Sequence, residues 1–301
     1  MQIYEYQKGK KLNIGKTVVA LGFFDGVHIG HRELLRRAKA ISEERGLGFA
    51  VFTFKAEESG FKGSGRLYST EDKLSIFEAI GVETVIITDF PDVCNISAES
   101  FVEDSLISDI GCTVAVAGYD FRFGKGAFGD VGMLCEIMSR CGGSSVVVEE
   151  QTFKGKKIST TVIKELFAKG EIFEANALLG EPYFIRGRVS RGNGFGKVLG
   201  FPTINIPISK DAFSPRHGVY RAEVKIGGKV YTGVTNIGIC PTFEEREIHA
   251  ETFLLDFSED VYGGDVKVSL LDFLRDEKRF DSAEQLKMQI NVDVNRVKNG
   301  N

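Results

Sequence analysis

Short apolar runs at residues 18–23, 49–54, 82–88, 114–118 and 145–148 punctuate the first half of the chain. Between them the hydrophobic period changes to that of a helix. Leu34, Leu35, Ala38 and Ile41 mark one amphipathic face, closed by Gly46. Ser69-Thr70-Glu71-Asp72 opens a second helix with a capping-box pattern, Leu74, Phe77 and Ile80 give its face, and Gly81 ends it. A third begins near Ser97, with Phe101, Val102, Leu106 and Ile110 inward and Gly111 as its stop. Runs without polar alternation, such as Val18-Val19-Ala20-Leu21, fit strands covered on both faces. Strand and helix in alternation predict an α/β domain built on a doubly wound parallel sheet, with its ligand at the carboxyl ends of the strands.

After Glu150 the pattern changes. Two short helical stretches, 160–168 and 171–179, each stop at a glycine (Gly170, Gly180), and the domain boundary is placed there, giving 1–180 and 181–301. Beyond it, 219–226 and 229–236 flank Gly227-Gly228 as a hairpin with a two-residue turn. Further strands are expected at 250–257 and 266–273, and a closing helix at Ser282, where Gln285 completes a capping box. Many strands and one terminal helix predict a mainly β domain, a small antiparallel Greek-key barrel with a C-terminal helix.

Composition narrows the partners. A chain of 301 residues is long enough for two domains with separate cores. A net charge of −4 with no dense Lys/Arg block supplies no basic groove for nucleic acid. No apolar run reaches the roughly 18–20 residues of a membrane span, and MQIYEYQKGKKL has no signal-peptide core. Five cysteines, odd in number and without CxxC spacing, suggest reduced thiols in a cytoplasm. Oligomeric state is not legible at this level.

The strongest chemical signal is VVALGFFDGVHIGH at 18–31: a strand, a glycine-rich turn with two histidines three apart, and a helix. Gly22, Gly26 and Gly30 let the backbone turn and approach a ligand closely. His28 and His31 then stand at a helix N-terminus, where free N–H groups and the helix dipole attract phosphate. An isolated HxxH is ordinarily a polar loop; here strand, glycines and helix fall into place around it.

FDGVHIGH at 24–31 resembles the HxGH signature of the nucleotidyltransferase superfamily, and is closest to the adenylyltransferase half of bacterial bifunctional FAD synthetases. GYDFRFG at 118–124, followed by Gly129-Asp130, resembles that family's GxDFxFG element, and ISTTVIK at 158–164 its ISST…R/K element. The resemblance implies attack of the FMN phosphate on the α-phosphorus of ATP, with pyrophosphate leaving. It assigns His28 and His31 to the ATP phosphates and Lys164 to the leaving pyrophosphate. Gly22, Phe24, Asp25, Gly26, Asp120, Ser159 and Thr160 are its further candidate binding residues. Asp25 and Asp120 fit a turn cap as well as a ligand contact. The chain departs from the family in two places. Thr53-Phe54 is followed by Lys55-Ala56-Glu57-Glu58 instead of the TFxPHP ending, and Val162 stands where relatives often have arginine.

In the second half, GNGFGKVLG at 192–200 leads into FPTIN at 201–205. Gly192, Gly194 and Gly196 permit a loop whose N–H groups face a phosphate, and Lys197 adds charge; no Walker A spacing is present. GFPTIN resembles the PTxN signature of riboflavin kinases, which implies that Thr203 and Asn205 bind ATP phosphates and Mg²⁺. The likeness runs on through TNIG at 235–238, ETFLLDF at 251–257 and LRDE at 274–277. It makes Glu251 the general base on the riboflavin 5′-hydroxyl. Arg275 is open between a flavin or phosphate contact and a surface ion pair. The implied activity is bifunctional: riboflavin to FMN in the C-terminal domain, and FMN to FAD in the N-terminal one, each with ATP and Mg²⁺. Riboflavin, FMN and FAD are then substrate and product. The alternative keeps the kinase and makes the N-terminal half a silent nucleotide- or flavin-binding module.

Overall fold

The structure, a computed structural model, describes residues 1–56, 65–191, 200–239 and 247–299. The phosphate-loop candidates Gly192, Gly194, Gly196 and Lys197 lie outside the described residues, as does Glu57. The chain divides into two compact units, Met1–Thr160 and Thr161–Asn301.

The first unit holds a six-stranded sheet of β1 (Gln2–Glu5), β2 (Thr17–Leu21), β3 (Gly48–Phe54), β4 (Thr84–Thr88), β5 (Cys112–Gly118) and β6 (Ser144–Val148). Their order is β1-β4-β3-β2-β5-β6 and every pairing is parallel. Helix α1 (Ile29–Arg45) follows β2 and α2 (Thr70–Ile80) follows β3. The chain then runs through α3 (Phe90–Cys94) and α4 (Ala98–Ser100), and returns past β2 to β5. Helix α5 (Val131–Arg140) leads to β6, and a short antiparallel ribbon of β7 (Thr152–Phe153) and β8 (Lys156–Lys157) follows. Val19, Leu21, Ala50, Phe52, Ala115 and Ala117 share one core with Phe101, Leu106, Leu134 and Ile137. Their alternate neighbours Val18, Ala20, Val51, Val114 and Val116 are equally buried, so helices cover both faces.

Glycines in the left-handed region end α1 at Gly46 and α2 at Gly81, as the sequence pattern anticipates. Two details differ from expectation. The inward residues Phe101, Val102, Leu106 and Ile110 are all buried, but Phe101–Asp109 winds as a π-helix. In α2 the inward stripe is Lys73, Ile76 and Phe77, with Leu74 and Ile80 only half-buried.

The second unit opens with α6 (Thr160–Lys169), whose first residue still belongs to the first unit, and α7 (Ile172–Leu179). These helices pack on the strands that follow. The Phe167 ring lies 4.9 Å from Tyr183 and 5.9 Å from Phe213. The Asn176 amide donates to the Leu270 carbonyl and accepts the Tyr183 N–H, each at 2.8 Å. Gly170 and Gly180 thus end helices without starting the division between the units, which falls after Thr160.

Strands β9 (Phe184–Arg188), β10 (Thr203–Ile208), β11 (Gly218–Ile226), β12 (Lys229–Ile239), β13 (Ile248–Leu254) and β14 (Asp265–Asp276) form an antiparallel sheet in the order β10-β13-β12-β11-β14-β9. A bridge between Ser190 and Asn205 draws the two end strands together toward a barrel. Gly187 permits this, because a Cβ there would run into Ile206. The β11–β12 turn has positive φ at Gly227 and Gly228, the primed geometry that suits a tight hairpin. The closing helix α8 (Ala283–Lys298) lays Ile290, Val294 and Val297 against Val219, Val234 and Leu274. At its start the Gln285 N–H donates to Ser282, while the Gln285 side chain accepts from Asp281, one residue before the capping-box donor. Among the described residues no helix is long and apolar enough to cross a membrane.

Candidate active sites

In the first sheet the connections wind one way from β2 to β4 and the other way from β5 to β6. The direction changes between adjacent strands β2 and β5, and a crevice opens at the carboxyl edge of such a pair. Both chemistry-bearing loops, 22–28 after β2 and 119–130 after β5, start at that edge.

The turn after β2 is strained. Phe24 and Val27 take φ of 55° and 41°, left-handed values that non-glycine residues rarely adopt, beside Gly26 at 84°. Three of its carbonyls are held by side chains. Thr53 donates to Phe23 O at 3.1 Å, Thr160 to Asp25 O at 2.9 Å and Arg32 to Val27 O at 3.0 Å. The Asp25 carboxylate accepts the Leu67 N–H at 3.1 Å, so it braces the turn. The Phe24 ring is buried between His31 and Phe77, at 5.2 and 5.6 Å, and lies over Gly22, where a Cβ would come within 2.8 Å of it. Phe24 and Gly22 therefore shape the site from beneath.

His28 caps α1, its Nδ1 accepting the His31 N–H at 3.3 Å. The two imidazoles stack with centroids 3.6 Å apart. Gly30 lets the His28 ring lie against the helix, since a Cβ there would be 3.2 Å from its Nδ1. Burial lowers the His28 pKa to about 4, although the charge of Asp120 favours its protonation. Burial also holds His31 well below the usual range, with His28 and the Lys73 ammonium adding to the effect. Both rings are neutral at neutral pH. A neutral His28 whose Nδ1 accepts a bond carries its proton on Nε2, as a donor. Among the described residues, His31 Nδ1 has no hydrogen-bond partner and is buried.

Asp120 is exposed and ion-paired to Lys157 at 3.1 Å, and Lys157 lies over the Tyr119 ring at 4.8 Å. Ser159 sits beside Thr160 at the start of α6. Lys164 falls in the second unit, its ammonium 5.9 Å from the centre of the Phe213 ring. Lys55, which follows Phe54 where the family has a different ending, pairs with Asp89 at 3.3 Å and Glu5 at 3.5 Å. Sequence reasoning missed Lys73, Lys157 and Arg66, the last placed over the Phe23 ring at 5.3 Å. No motif marks them; burial of a lysine on a helix face is visible only in three dimensions.

In the second unit, Asn205, Glu251 and Asn236 stand directly opposite one another on β10, β13 and β12 and so share one face. The Thr203 hydroxyl donates to Glu251 Oε1 at 2.8 Å. Asn205 is buried and Glu251 exposed, so the carboxylate reaches solvent from a fixed base. On the other face Thr235 and Thr252, both fully buried, pair through their hydroxyls at 2.8 Å and stitch β12 to β13. Glu277 leans over Gly238, where a Cβ would collide with its carboxylate. Arg275, a candidate for a ligand contact or an ion pair, is engaged with α8. It donates from Nε and Nη2 to Asp293 at 3.0 and 2.7 Å and from Nη1 to the Asp276 carbonyl at 3.0 Å.

Comparison with known proteins bears on both units. The FAD synthetase family profile matches residues 10–162 and the riboflavin kinase profile residues 179–300. A bifunctional riboflavin kinase/FMN adenylyltransferase of Bacillus subtilis (strain 168) is 36% identical over 287 residues, 92% of this chain and 90% of the relative. Its namesake in Haemophilus influenzae is 34% identical, over 93% and 92% of the two chains. Among solved structures, one described as a macrolide-efflux protein from Streptococcus pneumoniae superposes with a TM-score of 0.89 at 28% identity, covering 99% of each chain.

Proposed function

Because this chain belongs to the bifunctional riboflavin kinase/FMN adenylyltransferase family, we propose that the first unit adenylylates FMN at the His28–His31 pair and that the second phosphorylates riboflavin at the Thr203–Glu251 pair. The observation that carries the first assignment is the stacked, neutral histidine pair at the N-terminus of α1, on the edge where the sheet changes direction. An FMN phosphate oxygen attacks the α-phosphorus of ATP as the bond to pyrophosphate breaks. The nucleophile is already an anion, so no protein base is required. What the step needs is donors aimed at the charge that builds on the phosphate oxygens, and a buried imidazole N–H beside a helix N-terminus supplies them. Thr160 acts through the Asp25 carbonyl by holding the turn.

The kinase step differs because a hydroxyl must lose a proton. Glu251 takes it from the riboflavin 5′-oxygen as that oxygen attacks the γ-phosphorus and ADP leaves. The bond from Thr203 orients the carboxylate. A magnesium ion fits the oxygen donors of Thr203 and Asn205 beside Glu251, and would neutralise phosphate charge. Among the described residues no three His, Cys, Asp or Glu side chains gather as a metal cluster, so water and ATP phosphates would complete its shell. The sequence pattern also assigns Gly192, Gly194, Gly196 and Lys197 to the ATP phosphates. The net charge of −4 and the free Cys94, Cys112, Cys135 and Cys141 support a cytoplasmic enzyme that handles small molecules rather than nucleic acid.

Incubation with ATP, magnesium and either riboflavin or FMN, followed by chromatographic separation of the flavins, tests both assignments. FAD from both starting flavins supports two working sites. FMN without FAD would make the first unit silent, and no product would overturn the proposal.

A further inference from the structure

Lys73 is a lysine buried to 3% exposure on the inward stripe of α2, among Ile76 and Phe77, where a helix of this kind normally presents an apolar side chain. Its ammonium donates to three oxygens: Phe54 O at 2.5 Å, Thr53 Oγ1 at 3.1 Å and Phe23 O at 3.4 Å. Two of these belong to the end of β3 and the third to the turn after β2. Thr53 also donates to Phe23 O, so two side chains converge on one carbonyl. The next residue is Phe24, in its left-handed conformation, with its ring edge-on to His31. A chain of contacts thus leads from the ammonium through the Phe23 peptide and the Phe24 ring to the imidazole.

We propose that Lys73 is a positioning residue for adenylyl transfer: it ties the carboxyl ends of β2 and β3 together and thereby fixes the strained turn whose Phe24 ring orients His31. This rests on the assignment of the first unit as the adenylylating one. Three tetrahedral N–H donors match three oxygens spread around one point, a task that the planar fork of arginine performs poorly. Without the tie, the left-handed Phe24 conformation, costly by itself, has one fewer constraint to hold it. The ammonium has a second effect, since its charge disfavours a proton on His31. Among the described residues, the other charged or titratable groups in play include His28, stacked on His31, Asp120, which acts on His28 from the loop after β5, and Arg66 over the Phe23 ring.

The test uses the full chain with Lys73→Met, Lys73→Arg and Thr53→Val. FAD formation from FMN should fall on the order of tenfold to a hundredfold in Lys73→Met, the scale for a misplaced reacting group. Riboflavin phosphorylation should stay within about twofold of the parent. Lys73→Arg should not restore the rate, and Thr53→Val, which removes one of the two donors to Phe23 O, should show a smaller loss. The His31 ring protons, followed by NMR across pH, should titrate at higher pH in Lys73→Met and be unmoved in Thr53→Val. Should Lys73→Met fail to fold, the Thr53→Val rate decides, and a parent-like value overturns the proposal. A slow Lys73→Met with unmoved His31 resonances and only a lower unfolding midpoint also overturns it, leaving a structural role. A parent that makes no FAD would instead sink the adenylylating assignment, and the proposal with it.

Discussion

The two proposed sites would solve the same problem, transfer at a phosphorus of ATP, with opposite means. In the first unit the proposed working groups are buried imidazoles, held neutral by desolvation at the strained turn that leads from β2 into α1. In the second the proposed working group is an exposed carboxylate held by a neighbouring hydroxyl across antiparallel strands. The difference follows from the nucleophile. A phosphate oxygen arrives without a proton to lose and needs dry, pre-aimed donors, whereas a hydroxyl needs a base connected to solvent. Sheet geometry serves each. Parallel strands bring several loops to one edge, and antiparallel neighbours place Asn205, Glu251 and Asn236 in one row.

Four experiments break or sharpen this contrast. Replacing His28 and His31 together by alanine should reduce FAD formation by a factor on the order of 10³ or more and spare FMN formation. Flavin chromatography reads both, and loss of both activities in a folded protein would mean that the units do not work separately. Glu251→Gln should do the reverse, lowering riboflavin phosphorylation on the order of 10²–10⁴-fold while FMN supplied from outside is still adenylylated. Stability should divide in the same way. Asp293→Ala leaves the half-buried Arg275 guanidinium without its carboxylate and should cost about 1–3 kcal/mol, read as a lower denaturation midpoint. His28 makes the first unit acid-sensitive. Its folded pKa of about 4 lies below the unfolded value near 6.5, so between those limits the unfolded chain binds the extra proton. Stability is therefore full above pH 6.5 and falls as pH drops toward 4, by about 3 kcal/mol for this one group. Denaturant titrations across that window should become shallower in His28→Asn, which keeps a helix cap without the titrating ring, while His31, also held low by burial, keeps part of the slope.

Much of this architecture was legible in the sequence. The apolar runs marked β2 to β6; in β2 to β5, burial on both faces leaves little room for polar alternation, while the edge strand β6 is half-buried throughout. The positive-φ glycines placed the ends of α1 and α2 because few other residues adopt that conformation. β1 escaped notice: four residues with one half-buried position carry almost no periodic signal. The π-helix escaped as well, since the spacing of Val102, Leu106 and Ile110 suits either winding. The histidine pair and the Thr203–Glu251 pair were visible as motifs. Their supports were not, because Lys73 and Thr53 meet Phe23 only through folding, and Arg275 finds Asp293 across 18 residues. A lysine in a helix reads as a solvated residue until its burial is seen.

The hairpin joining β11 to β12 offers a practical handle. Its tip, Gly227-Gly228, is exposed, and a side chain at either position would meet open space. Asn236, in the row of Glu251, lies seven positions along β12 from Lys229, roughly 23 Å at 3.3 Å per residue. A peptide epitope or fluorophore inserted there could immobilise or report on the enzyme while both flavin reactions continue.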